Sequence, residues 1–320
     1  MALTRELDRK DSPVTRWFNQ WLANTKPVSE EWSARVRSAP THRPDSDKRI
    51  PGTVGTAFDY RLRFSLAALP LERTVAATGM RLLDTTRSQT RNSGRSTDEF
   101  LVTYGLPPGE AAPVARLLSE FQEALATTLL RFDPVGRALR GSEEELLCRY
   151  CYVLALFEEL YRAGLAIKSP LFTLASGATL DRLLALPPQI WVDDLCKLSH
   201  LARPHLADLG HEPLHLNPTF AGSSEIGGAD ADLIAGGCLL DIKTTVDPKF
   251  SRTRLLYQLL GYVLLDYPDA YAITCVGIYL SRQSLVVRWP LQELLSTLLA
   301  ERKATLPELR MSFRAAIHQR

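Results

Sequence analysis

The chain lacks the features that place a protein in or across a membrane. It contains no run of about 18 apolar residues. Its opening stretch, MALTRELDRK, is charged where a secretory leader is apolar, so a cytoplasmic protein with no membrane partner is expected. Cysteine is scarce: five among 320 residues, an odd number without disulfide-framework spacing, which predicts reduced thiols. An excess of one charge is also missing. With 38 basic and 36 acidic side chains the formal charge of +2 indicates no partner by itself, although a local stripe of Arg and Lys suffices for phosphate contacts. No Walker pattern, glycine-rich phosphate loop, serine nucleophile elbow or internal repeat occurs. The chain therefore has no motor of its own, and any unwinding of a duplex would fall to a partner such as a helicase or ATPase subunit.

What is present is the material of a globular protein: 45% hydrophobic and 23% charged residues, enough for one large domain or two ordinary ones. Residues 1–50 are polar and rich in Pro, Arg and Ser. Two short helical patterns (14–24 and 29–37) precede the breaker-rich SAPTHRPDSDKRIPG, which predicts an N-terminal arm, disordered in part until it packs. Residues 51–145 read as a helical region. A pattern over 56–69 stops at Pro70, and Ala112–Phe132 is apolar on one face and stops at Asp133-Pro134. Between them lies DTTRSQTRNSGRSTDEF. Arg87, Arg91 and Arg95 there are spaced by four, but Gly94 and the many Ser and Thr residues predict a solvated loop. The helix over 142–163 opens with SEEE, an N-cap and acids suited to the positive helix terminus, and closes at Gly164. A further helix is expected over 190–202.

After Pro213 the pattern changes. Strands are expected over 214–220, 228–235 and 238–245, the last two joined by a turn at Gly236-Gly237. A helix over 254–266, a strand pair over 271–280 and 284–289, and a terminal helix over 291–302 follow. The order β-β-β-α-β-β-α behind many helices predicts an α/β fold with a mixed sheet, residues 146–320 forming its domain.

The stretch EIGGADADLIAGGCLLDIKTT carries the chemistry. Strand alternation puts Asp230 and Asp232 on one face, and Asp241 and Lys243 on one face of the hairpin neighbour. Charges inside an apolar strand are costly unless paired or metal-bound. Converging carboxylates repel unless a cation lies between them. Mg²⁺, or Mn²⁺ in its place, is a hard ion that takes such oxygens and keeps waters, one of which can attack a phosphodiester. A lysine two residues beyond an acid can orient that water or support the phosphate, and the Ile242 carbonyl is a further candidate ligand.

These residues resemble the PD-(D/E)XK nuclease superfamily: an Asp on one strand, then acid-x-Lys on the next. Asp241-Ile242-Lys243 supplies the second half. For the first, the GGAD ending at Asp230 is similar to the Gly-x-x-Asp of RecB-like members, while Asp232, nine residues before Asp241, also fits; Asp230 is preferred. Gln258-Leu259-Leu260-Gly261-Tyr262 resembles the Gln-x-x-x-Tyr motif on the following helix. There the two side chains border the active site and contact substrate or the catalytic lysine. Gln258 and Tyr262 share a helix face with Arg254, which with Lys249 and Arg252 makes a small basic patch. The superfamily often adds an acid from an earlier helix, for which Glu159 is preferred and Glu158 is second. RecB-like members often place a His on that helix; Gly55-Thr56-Ala57-Phe58-Asp59 has the general shape with Asp instead. The resemblance covers about residues 150–300. It implies a restriction-endonuclease-like core, a Mg²⁺- or Mn²⁺-dependent nuclease acting on nucleic acid, with DNA favoured, and a setting in DNA repair, restriction or antiphage defence. The rival reading is a binding or scaffold protein that keeps the fold without cutting.

Cys148-x-x-Cys151 with Cys196 and His200 (i, i+4) would supply four zinc or iron–sulfur ligands, but mid-helix pairs of this kind are more often buried thiols. His205, His211 and His215, flanked by Pro204 and Pro213, have no spacing that directs them to one point.

Overall fold

The computed structural model describes residues 2–46, 48–81, 112–163, 169–173, 179–247 and 252–319. Helices α1 (Ala2–Asp8), α2 (Pro13–Trp21), α3 (Lys26–Arg37) and α4 (Gly52–Leu66) come first. Then follow α5 (Ala112–Phe132), α6 (Gly141–Ala163), α7 (Leu180–Leu184), α8 (Gln189–Ala202) and α9 (Leu206–Leu209). The remainder runs β1 (Leu214–Leu216), β2 (Leu233–Ala235), β3 (Cys238–Lys243), α10 (Arg252–Leu265), β4 (Cys275–Leu280), β5 (Leu285–Pro290), α11 (Leu291–Leu299) and α12 (Leu306–Ile317). The segment with Arg87, Arg91 and Arg95, together with Gly164, Lys249 and the side chain of Arg252, lies outside the described residues.

The chain forms an α/β fold in two compact units: Met1–Arg43 with Ala207–Arg320, and Pro44–Leu206. The first holds a five-stranded sheet in sequential order β1-β2-β3-β4-β5. Its pairings are antiparallel except β3 with β4, whose parallel alignment is made by the α10 crossover. Gly236 and Gly237, at φ +55° and +74°, form the two-residue hairpin turn between β2 and β3, a left-handed conformation that suits glycine. The helix ends are written locally. Ser12 caps α2 by accepting from Thr15 N at 3.0 Å ahead of Pro13, and Thr305 with Glu308 forms a capping box on α12.

The residues expected as an arm are instead part of this core. Leu3, Val14, Phe18 and Leu22 are fully buried, and Trp17 and Trp32 nearly so. Phe18 stacks on Tyr257 of α10 at 4.5 Å, and Trp32 on Trp289 of β5 at 6.0 Å. Gly261 lets α1 approach α10 so closely that an added Cβ would meet Leu3 Cδ2 at 2.9 Å. The boundaries expected at 50 and 145 thus differ from the observed units, and the second falls inside α6. The reason is physical: the apolar stripes of α1–α3 find partners more than 200 residues away, on α10, β5 and α12. Of α1–α12, four were not expected from the sequence: α1, α7, α9 and α12.

In the second unit α4 lies along α6, with α8 against both. Arg61 of α4 meets Glu144 of α6 in a bidentate pair at 2.7 and 2.8 Å, which satisfies two fully desolvated charges. No helix among the described residues is long and apolar enough to cross a membrane.

Candidate active site

β2 pairs with β3 only as far as Leu233 opposite Leu240, whereas β4 follows β3 through Lys243. The last three residues of β3, Asp241, Ile242 and Lys243, therefore have one edge released from the ladder. Asp232 sits at that edge, one residue before β2, and its register places it across from Asp241. Its Oδ2 accepts the Ile242 N–H at 2.7 Å. The N–H and C=O of one strand residue point to the same side, so the Ile242 carbonyl is directed to this edge too.

Side chains directly opposite one another in an antiparallel pair share a sheet face, and alternate residues repeat it. Asp232, Asp241 and Lys243 consequently face α10. Asp241 is 3% exposed, and Lys243 keeps about 30% of its side chain open to solvent. Lys243 Nζ stands 2.6 Å from Asp241 Oδ2. Apart from this ion pair, that oxygen has no hydrogen-bond partner among the described residues. The other oxygen, Oδ1, accepts from Gln258 Nε2 at 3.0 Å, and the same amide donates to the Tyr262 hydroxyl at 2.9 Å. Phe220 stacks on the Tyr262 ring at 5.6 Å. Gln258 and Tyr262 are 3% and 1% exposed, so they grip the carboxylate from inside and offer no surface to a polymer.

The electrostatics follow. Burial, the largest influence, depresses the Lys243 ammonium, but the charges of Asp241 and Asp232 outweigh it and leave Lys243 above the ordinary lysine range. The Arg254 charge opposes the rise. Burial pushes the Tyr262 phenol well up, and the negative charges of Asp241, Asp232 and Asp230 add to it. Asp230 itself is half-buried and forms an isolated bridge with Thr219.

The remaining candidates are distributed as follows. Arg254 is ion-paired with Asp8 of α1, Nη2 to Oδ2 at 3.0 Å. Glu159 and Glu158 belong to the second unit. Glu159 accepts from Thr53 Oγ1, while Glu158 accepts from Tyr60 OH and from Arg162 Nε, each at 2.7 Å. Burial raises the neighbouring Asp59 carboxyl to about 6 against the pull of Arg63. Cys148 and Cys151 are buried thiols pushed up by burial, Cys148 lying 3.5 Å from Glu144 Oε1. His200 is exposed, as are His211 and His215, the latter against the Tyr271 ring. Among the described residues no group of three or more His, Cys, Asp or Glu side chains is gathered as a metal site.

Two features escaped the sequence reading. Not all the cysteines are reduced thiols: Cys238 and Cys275 form a disulfide, because β3 and β4 start side by side with Cα atoms 4.3 Å apart. Their separation of 37 residues gave no sign of this pairing. The Asp8 partner of Arg254 was hidden likewise, since 246 residues divide them. The chain matches no protein-family model, no curated protein and no solved structure.

Proposed function

We propose that this chain is a divalent-metal-dependent nuclease with a restriction-endonuclease-like core, cleaving phosphodiester bonds of nucleic acid, DNA by preference, in the cytoplasm. The observation that carries the reading is the convergence of Asp232, Asp241 and Lys243 on the released edge of β3, with Gln258 bracing Asp241 from the interior. The donor set fits a hard cation. Asp241 Oδ2 is a buried carboxylate oxygen whose partner among the described residues is the Lys243 ammonium, and Asp232 stands across the strand pair from it. Asp241 and Asp232 would hold Mg²⁺ or Mn²⁺ with the Ile242 carbonyl, and Asp230 would support the charge from the flanking turn. The bound ion would acidify a water and offset charge growing on the phosphate.

The chain's own residues do the rest. Gln258 fixes the Asp241 carboxylate through Oδ1, leaving Oδ2 directed at the site. Lys243 donates from Nζ to the attacking water or to a phosphate oxygen, and its raised proton affinity keeps it an ammonium at neutral pH. Tyr262 holds the Gln258 amide in place. Arg254 supplies a second cation for the phosphate backbone. Such an enzyme suits DNA repair or antiphage defence, with a helicase or ATPase partner where a duplex must be opened.

The test is incubation of linear and circular DNA with Mg²⁺, Mn²⁺ or EDTA. Cleavage that EDTA and Lys243→Ala abolish, and that Cys148→Ala leaves intact, supports the enzyme. Two observations favour the rival scaffold reading: no three ligating side chains are gathered among the described residues, and Asp241 is paired with Lys243. Binding of DNA without cleavage under every metal condition would select that reading.

A further inference from the structure

Arg254 lies one helical turn before Gln258 on α10, on the stripe that faces Asp241. Its Nε meets Asp8 Oδ1 at 2.5 Å, and its Nη2 meets Asp8 Oδ2 at 3.0 Å and the Thr4 carbonyl at 3.4 Å. Two of the three nitrogens are therefore spent on α1, and among the described residues Nη1 remains. The Arg254 side chain is 26% exposed and that of Asp8 58%, so the carboxylate is the more open partner of the pair. The helix that carries Asp8 is tied at two points. Leu3 is seated against Gly261, and the Glu6 carbonyl accepts from the Ser12 and Thr15 hydroxyls at 2.8 Å each.

We propose that Asp8 is a positioning residue: it holds the Arg254 guanidinium by a bidentate clamp so that Nη1 meets a phosphate of the bound strand beside the cleavage site. The inference rests on the nuclease reading and adds the N-terminal helix to the substrate-binding apparatus. A free arginine side chain has about 2 kcal/mol of rotamer entropy to lose on binding. A planar fork already clamped along one edge loses less of it when a phosphate arrives. The same carboxylate weakens the net positive charge seen from a distance, so a merely masking contact would act in the opposite direction. The sign of the effect decides between the two.

The experiment uses the full chain, a fluorescein-labelled oligodeoxynucleotide read by anisotropy with Ca²⁺ in place of Mg²⁺, and cleavage kinetics in Mg²⁺. Asp8→Asn is expected to weaken binding roughly tenfold, to raise KM by a similar factor with kcat within about twofold, and to lower the salt dependence of binding by about one phosphate contact. Arg254→Lys, which keeps the charge and loses the fork, should match it, and the double variant should be no worse than either. Asp8→Glu should restore part of the affinity. Thermal melting verifies that each variant is folded. Unchanged or tighter binding by Asp8→Asn, in a chain whose wild type cuts DNA, overturns the positioning role alone. A wild type that neither binds nor cuts overturns the nuclease reading and this inference together.

Discussion

Asp232 reaches across to accept the backbone N–H of Ile242 at 2.7 Å, one step beyond the last rung that joins β2 to β3. The acid thus takes the place of a strand partner at the released end of β3. Asp230, two residues earlier, is engaged in the bridge with Thr219 instead. We therefore expect Asp232→Ala to slow DNA cleavage by roughly a hundredfold or more, as loss of a metal-holding carboxylate does, and Asp230→Ala to cost less. Single-turnover rates of the two variants check the order. The opposite ranking would move the metal-holding role to the Gly-x-x-Asp position.

Lys243 stays charged because its acids outweigh burial. A lysine whose folded pKa is raised contributes stability that is complete below the unfolded value of about 10.4 and is lost as pH climbs through the higher folded value. Asp241→Asn removes the leading opposing charge while burial persists, so the ammonium should titrate at lower pH than in the wild type. Following the lysine Cε resonance against pH measures it, and an unmoved midpoint would contradict the coupling. Lys243→Ala should reduce the cleavage rate about 10²- to 10⁴-fold in a folded protein.

Gln258 has one amide serving two buried acceptors, the Asp241 carboxylate and the Tyr262 hydroxyl. Gln258→Leu strands both and should cost about 1–3 kcal/mol of stability together with most of the activity. Tyr262→Phe leaves the Gln258–Asp241 hydrogen bond in place and keeps the ring on Phe220, so its cost should be smaller. Denaturant melts and cleavage rates on the same preparations compare the two.

The Asp59 carboxyl, raised to about 6 chiefly by burial, gives the second unit its own pH dependence. A folded pKa above the unfolded value of about 3.9 means that the folded form binds the extra proton, so stability falls as pH rises from about 4 through 6. Asp59→Asn, which cannot ionise, should flatten that portion of the melting-temperature profile. A profile as steep as that of the wild type would assign the dependence to another group.

Local chemistry wrote a good part of this protein in a form that can be read along the chain. Ala112–Phe132 has the bounds its apolar stripe and Asp133-Pro134 stop dictate, and Gly236-Gly237 sets the β2–β3 hairpin. Asp241 and Lys243 share a face because strand alternation has a period of two, and Gln258 and Tyr262 because a helix repeats nearly every four residues. The strands over 214–220 and 228–235 came out shorter, ending at Leu216 and beginning at Leu233, because pairing depends on what lies alongside. Sequence alone thus determined which residue types stand together on each element. Tertiary structure decided which elements meet: that α1–α3 complete the sheet's core, that Cys238 faces Cys275, that Asp232 grips Ile242, and that Asp8 clamps Arg254. Those contacts join residues 10, 37 and 246 positions apart, where no periodicity reaches and only packing and charge select the partner.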